Sequence, residues 1–573
     1  MSAPLSIAEA NAILTAPGQM FEMDEVEIRG IATRVWKNAP TSLRDVLVLS
    51  RAHADATYIV YEDERITFEE HFLAAAALAR SLVGRYQIMP GDRVAIAMRN
   101  NPEWVMAFWA AAAVGAVIVP LNSWWTGAEL AYGLADSEAK ILFADEARTT
   151  SLEPHLEGLR AGSLQAVLVA RSKTPLQAGT DDFARVLTEA RVPDGDPGAG
   201  DLPEVQIAPE DDATIFYTSG TTGQPKGAVG TQRNICTNLM SLFFVASRGA
   251  MRTTAVPAGG PSRQNSYLLS VPLFHATGCH SILVANTAAG GKLVMMYRFN
   301  PERALELIER EQITTFGGVP AMVWQVIESP EFHSRDTSSV TSIGYGGAPA
   351  PPELVKRIKE HFPSGSASNG YGLTETSSLT TMNTGDDYVA KPDSVGPPVP
   401  ICDLQIVDEH HNPLPVGEVG ELWIRGPNVV RGYWHKPEAT AETFSHGWLH
   451  TGDVARLDEL GFCYIVDRAK DMIIRGGENV YCVEVEGVLF EHPGVSDAAV
   501  IGIPDRILGE QVGAVIQAKA NTPVTERALQ THVAAHLAAF KVPVKIWFRD
   551  EPLPRNPAGK VLKGQLRLEL LGE

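Results

Sequence analysis

Residues Tyr217–Gly227 read YTSGTTGQPKG. Four hydroxyls (Thr218, Ser219, Thr221, Thr222), three glycines and Lys226 fall within these eleven positions. Glycine lets backbone N–H groups turn toward an anion, hydroxyls add short donors, and a lysine adds a point charge. The apolar stretch 213–216 reads as a strand, so the loop projects from a sheet edge. The string does not satisfy G-x-x-x-x-G-K-[ST], which excludes a Walker A loop. The reading is a phosphate-gripping loop of another kind.

Upstream, helical and strand periodicities alternate. The spacing predicts helices over 67–83, 102–113 and 128–136, and strands over 93–98, 116–120 and 140–144. Such alternation implies an α/β protein with mainly parallel sheets. A chain of 573 residues exceeds what one core supports, so at least two domains are expected. The Pro/Gly/Asp-rich stretch 192–209 reads as an exposed connector, and 248–265 as a surface loop. After Asp467 the chain restarts with a charged cluster, a Gly-Gly turn and short α+β patterns. The expected division is therefore 1–466, a hinge at 467–471, and 472–573.

The formal net charge is −20, from 48 Lys and Arg against 68 Asp and Glu. That argues against a nucleic-acid partner, which demands a basic surface, but leaves a locally basic nucleotide pocket open. The cysteines Cys236, Cys279, Cys402, Cys463 and Cys482 contain no C-x-x-C pair, so neither a disulfide framework nor a zinc ribbon is expected. A reducing, cytoplasmic location fits, and the start MSAPLSIAEANAIL has no signal-peptide pattern. The longest apolar run, MAFWAAAAVGAVIVPL at 106–121, has sixteen residues and is interrupted by Gly115 and Pro120. It is read as buried helix, turn and strand, because a bilayer span needs roughly 20 residues.

The whole Tyr217–Gly227 string resembles the signature of the adenylate-forming superfamily, which holds acyl-CoA synthetases, luciferases and peptide-synthetase adenylation domains. Further segments similar to that family's motifs follow in its order, and the resemblance covers 42–563. PLFHATG at Pro272–Gly278 resembles the acyl-site motif, and His275 would border the acyl pocket. On its residues alone, His275 is equally a packed core histidine. GYGGAP at Gly344–Pro349 resembles the strand and turn that flank adenine, contributing Gly346, Gly347, Ala348 and Pro349. NGYGLTE at Asn369–Glu375 is similar to the second strong motif. Asn369 would read the adenine amino edge, Tyr371 would stack on the base, and Gly370, Gly372 and Leu373 would line the nucleotide. Thr374 would contact the α-phosphate and Glu375 would ligate Mg²⁺, a hard cation suited to a carboxylate. Gly346 and Tyr371 would also face the acyl group. GEVGELWIRGPNVVRGY at Gly417–Tyr433 resembles a β-rich structural motif and receives no catalytic role. WLHTGD at Trp448–Asp453 places Asp453 at the ribose hydroxyls, with Ile465 beside the nucleotide.

DRAKD at Asp467–Asp471 matches the family's hinge, with Arg468 toward ribose or phosphate and Lys470 as pivot. IIRGGENVY at Ile473–Tyr481 resembles the loop that enters for the thioester step, through Gly476, Gly477 and Glu478. PRNPAGKVLK at Pro554–Lys563 resembles the last motif, with Lys560 as its lysine. The sequence departs from the family at Cys482, where proline is common, and at Thr231-Gln232, where Thr-His is common.

The resemblance implies a large α/β N-terminal domain of packed mixed sheets with a β-barrel-like subdomain, then a small mobile α+β C-terminal domain. It implies ATP, Mg²⁺ and CoA, with Lys560, Glu375, Thr374 and Lys226 catalytic. Thr218, Ser219, Gly220, Thr221 and Thr222 would hold the β- and γ-phosphates. The expected reaction forms an acyl-adenylate, then an acyl-CoA. No acidic residue in PLFHATG is placed to hold an amino group, so the acid is expected to be hydrophobic: medium- or long-chain fatty, or aryl or arylalkanoic. The alternative is an acyl-AMP ligase serving a carrier protein or an amine. A homodimer is left open.

Overall fold

The computed structural model describes residues 5–572 apart from 192–197, 199, 219–223, 253–263, 349, 469, 477, 520–521 and 557–558. Two large sheets dominate. The seven-stranded sheet runs Lys226–Thr231, Asp212–Thr218, Val117–Pro120, Arg93–Ala97, Ile141–Asp145, Ala166–Ala170, Asp181–Asp182. The eight-stranded sheet runs Thr381–Thr384, Ser366–Tyr371, Ser342–Gly346, Thr315–Gly318, Ser266–Leu269, Lys292–Met295, Thr57–Tyr61, Glu64–Thr67. Interior pairs are parallel. The antiparallel pairs lie at the edges, where a hairpin suffices and no crossover helix is needed.

The predicted elements are present with small shifts of their ends. The first long helix is Phe68–Gly84, because Thr67 caps it in a reciprocal capping box with Glu70. Helix Pro102–Ala113 opens on proline at its first turn. It is apolar all round because it is covered all round: Trp104, Phe108 and Trp109 have 0% exposure and pack in one core with Ala74–Ala76. Truncating Trp109 to alanine there costs about 3–5 kcal/mol. Among the described residues no helix is long and apolar enough to cross a membrane.

One expectation is corrected. Residues 248–252 are not loop, because helix Gln232–Arg252 runs through them. Arg248 is 3% exposed and lies over the Phe244 ring, while Arg252 pairs with Asp387. Gly249 and the charges read as a turn, yet each arginine has a partner on the same side of the helix. Residues 253–263 of that stretch, and 192–197 and 199 of the connector at 192–209, lie outside the described residues.

A five-stranded antiparallel sheet follows, built from Asp403–Val407, Gly420–Arg425, Trp448–Leu457, Phe444–Ser445 and Cys463–Arg468. The last five-stranded sheet combines Glu478–Val480, Ile473–Arg475, Gly509–Ala518, Val495–Asp505 and Lys545–Arg549. It has its own core, including Val485, Leu489, Val500, Val512 and Ile516. Strand Cys463–Arg468 carries Asp467 and Arg468 as its final residues, so the segment 467–471 begins inside a strand. All five cysteines are free and buried.

Candidate active site

Strands Asp212–Thr218 and Lys226–Thr231 pair antiparallel, with Thr218 opposite Lys226 and Tyr217 opposite Gly227. Tyr217 is anchored through its hydroxyl to Asp136 Oδ2 at 2.8 Å. Ser219, Gly220, Thr221 and Thr222 lie outside the described residues. The Lys226 ammonium stands 5.3 Å from the centroid of the Tyr433 ring, within cation–π range. The Tyr433 hydroxyl donates to Glu375 Oε1 at 2.8 Å. Burial and the neighbouring Glu375 push that hydroxyl's pKa up, so it keeps its proton and donates it to Glu375.

Backbone pairing fixes this arrangement. Val229 N donates to Gly432 O at 2.9 Å and Trp434 N to Gly227 O at 2.7 Å, which lays 431–434 along the Lys226 strand. Val430 N donates to Glu375 O at 2.9 Å, which ties the same segment to the Glu375 turn. The β-rich motif assigned only a structural role thus ends in a tyrosine that joins Lys226 to Glu375. The one sequence signal is R-G-Y itself: Gly432 has φ +143°, and a Cβ there would lie 2.5 Å from Thr440 Cγ2. The tyrosine that follows is thereby aimed.

The strand ends at Gly346 and Gly370 are glycine-rich and packed closely. A Cβ on Gly346 would sit 2.3 Å from Gly370 O, whereas the Gly347 position, at φ +74°, opens onto free space. Ala348 follows, and Pro349 is outside the described residues. Gly346 pairs with Gly370, and Tyr345 with Asn369, which is 6% exposed. Gly372 and Leu373 then lead into the short turn Thr374–Thr376.

Tyr371 donates to Asp453 Oδ2 at 2.7 Å, and Arg468 Nε pairs with Asp453 Oδ1 at 3.0 Å. Asp453 is 3% exposed and lies opposite Arg468 across two paired strands. Both carboxylate oxygens expected at the ribose thus already have a partner, with lone pairs remaining on each. Tyr371, Leu373 and Ile465 pack against one apolar cluster.

Lys560 reaches this group from the far end of the sequence. It sits in a tight hairpin where Lys560 N donates to Asn556 Oδ1 at 2.9 Å and Arg555 pairs with Asp497 at 2.6 Å. Gly559, at φ +78°, lies against Val319, and a Cβ there would be 2.5 Å from Val319 Cγ2. Burial lowers the Lys560 ammonium to about 8; Arg468 and Lys470 push the same way, and Asp453 opposes them. Lys470 itself is exposed. Gly476 donates to Leu508 O at 2.7 Å within the last sheet, next to an exposed Glu478; Gly477 lies outside the described residues. The Lys560 ammonium is thus within electrostatic reach of Asp453.

His275 is partly buried, and burial lowers its pKa to about 4, so it is neutral. It precedes a π-helical stretch, Thr277–Val284. That stretch meets the Glu375 turn twice: Ser281 Oγ donates to Ser378 Oγ at 2.7 Å, and His280 Nδ1 lies 3.2 Å from Ser377 O. These contacts were not read from sequence; the serine pair carries no motif of its own. Gln232, where histidine is common in the family, is fully buried and accepts from Leu43 N at 2.9 Å, a structural task.

The carboxylate of Glu375 suits a hard cation. Tyr433 occupies Oε1, and the described residues give Oε2 no hydrogen-bond partner. One carboxylate with substrate phosphates is the usual way Mg²⁺ is held.

Residues 49–434 match the family model of AMP-binding enzymes, and 484–560 match that of the AMP-binding enzyme C-terminal domain. A feruloyl-CoA synthase of Amycolatopsis sp is 34% identical over 521 residues, covering 90% of this chain and 96% of its own. A long-chain-fatty-acid–CoA ligase of Mycobacterium tuberculosis is 33% identical over 510 residues, covering 88% and 93%. The crystal structure of an anthranilate CoA ligase in complex with anthranoyl-AMP superposes with a TM-score of 0.81 at 26% identity, covering 92% and 97%. The chain belongs to the AMP-binding enzyme family, within the adenylate-forming superfamily that includes the acyl-CoA synthetases.

Proposed function

We propose that this enzyme is an AMP-forming acid–thiol ligase that activates a hydrophobic carboxylic acid, aryl or fatty, and passes the acyl group to CoA. The observation that carries this reading is Lys560, half-buried near Asp453 and Arg468, where the α-phosphate and the acid would meet. The acid's carboxylate attacks the α-phosphorus of ATP, the bond to the β-phosphate oxygen breaks, and pyrophosphate leaves. Lys560 draws the carboxylate and the α-phosphate together. Thr374 steadies the α-phosphate, and Lys226 with the Tyr217–Gly227 loop holds the leaving pyrophosphate. Asp453, Arg468, Tyr371 and Asn369 position the nucleoside. Catalysis of this kind is positioning and charge stabilisation rather than covalent work. Mg²⁺, when bound at Glu375, neutralises charge on the phosphate oxygens.

In the second step the CoA thiolate attacks the acyl carbon and AMP leaves. The segment after 471 turns about Lys470, Lys560 withdraws, and the loop of Gly476, Gly477 and Glu478 takes its place. Segments 1–466 and 472–573 are the two bodies of this movement. His275, Gly346 and Tyr371 border the acyl group. The buried free thiols fit a reducing cytoplasm. The test is pyrophosphate and AMP release with a panel of aryl and fatty acids, with and without CoA. Acid-dependent pyrophosphate with no acyl-CoA would move the acceptor to an amine or a carrier.

A further inference from the structure

The hinge holds a buried polar cluster that the two-step chemistry does not use. Asp467, the second-to-last residue of strand Cys463–Arg468, is 2% exposed. It accepts a hydrogen bond from the backbone N–H of Cys482, the first residue of helix Cys482–Glu491. Arg468 N donates to its other oxygen at 2.8 Å. Behind it, Lys563 pairs with Glu486 at 2.8 Å, with side-chain exposures of 17% and 13%. Glu486 in turn accepts from Val500 N at 2.8 Å. The Cys482 thiol donates to Asp471 O at 3.0 Å. Burial pushes the Asp467 carboxyl up to about 6, and the nearby Lys563 ammonium opposes that rise.

The geometry spans the pivot. Asp467 lies before Lys470, whereas Cys482, Glu486 and Lys563 lie after it. Lys563 is three residues beyond Lys560, so the body docked at Asp467 is the one that carries Lys560. Any rotation about Lys470 separates Asp467 from the Cys482 N–H.

The donor depends on which residue opens the helix. Proline suits the first turn of a helix but has no N–H. With proline, Asp467 would face the helix start without that bond. A cysteine leaves one of the helix's unsatisfied N-terminal N–H groups free to bind the carboxylate.

We propose that the Cys482 backbone N–H and Asp467 form a latch that holds the Lys560-in pose, making both positioning residues for adenylation. The proposal rests on the two-pose reading given above. The latch strengthens adenylation and delays the turn that admits the thiol. A hydrogen bond to a charged group is worth about tenfold in such a balance.

The test compares Cys482→Pro with Cys482→Ala in the full-length enzyme. Alanine keeps the N–H and loses the thiol; proline loses the N–H and suits the helix start. Two half-reactions are measured separately: acid-dependent ATP–pyrophosphate exchange, and thioester formation from supplied acyl-adenylate and CoA. The expected result is a roughly tenfold lower exchange-to-thioester ratio for Cys482→Pro, with Cys482→Ala like wild type. Asp467→Ala, which removes the other end, shows the same shift, and adding Cys482→Pro to it changes nothing further. The latch is overturned if Cys482→Pro and Cys482→Ala shift alike, if both half-reactions fall by one factor, or if the double variant adds the two effects. Absence of both half-reactions in the wild type would instead defeat the proposed function.

Discussion

Lys560 offers a prediction in which charge, burial and pose are tested together. Its ammonium, ordinarily near 10.5, is lowered to about 8, first by burial and then by Arg468. That lowering corresponds to about 3 kcal/mol of unfavourable charge in the free enzyme. The cation is present below about pH 8 and is lost as pH rises through it. Adenylation uses the cation, so kcat/KM for pyrophosphate exchange falls about tenfold per pH unit above 8 and is flat just below. That parameter reports the free enzyme; bound ATP brings negative charge that holds the proton, so the limb in kcat moves to higher pH. Lys560→Ala lowers exchange by about 10²–10³-fold and abolishes the alkaline limb. Thioester formation from supplied acyl-adenylate keeps its rate and shows no such limb, because Lys560 is outside the site in that step. The assay is radiolabelled pyrophosphate exchange from pH 6.5 to 9.5, paired with thioester formation in the same buffers. A wild-type profile that stays flat to pH 9.5, or equal losses in both half-reactions for Lys560→Ala, would refute the reasoning.

Tyr433→Phe keeps the ring under Lys226 but frees Glu375 Oε1, and raises the Mg²⁺ concentration for half-maximal exchange about tenfold, read by metal titration at saturating ATP. Asp453→Asn removes the charge paired with Arg468 and raises the KM for ATP by roughly 30-fold, a cost of about 2 kcal/mol, measured by initial rates. Gly559→Ala forces a side chain onto Val319 at φ +78°, displaces the Lys560 hairpin and lowers exchange on the order of 10²-fold, while thioester formation is spared.

Much of this was legible in the sequence because it is local. An apolar strand at 213–216 and the glycine- and hydroxyl-rich string that follows it declare themselves locally, although the strand that returns at Lys226–Thr231 does not, and helix Pro102–Ala113 is announced by its proline and its length. What is not legible joins residues far apart in the chain. Tyr433 meets Glu375 across 58 positions, and Tyr371 meets Asp453 across 82. Neither pairing has a spacing that periodicity exposes, because each depends on how two sheets dock. Cys482 was visible only as a departure. What the departure does, namely free an N–H for Asp467, needs the hinge folded. The loop reading of 248–252 failed because a buried arginine looks the same in sequence as a solvated one.

The most direct measurement is acid-dependent formation of AMP, pyrophosphate and acyl-CoA by the purified enzyme. A panel of aryl and fatty acids is supplied with ATP, Mg²⁺ and CoA. The expected result is equal amounts of the three products with at least one hydrophobic acid, and pyrophosphate exchange without CoA. No acid-dependent exchange with any member of the panel, or ADP in place of AMP, would contradict it.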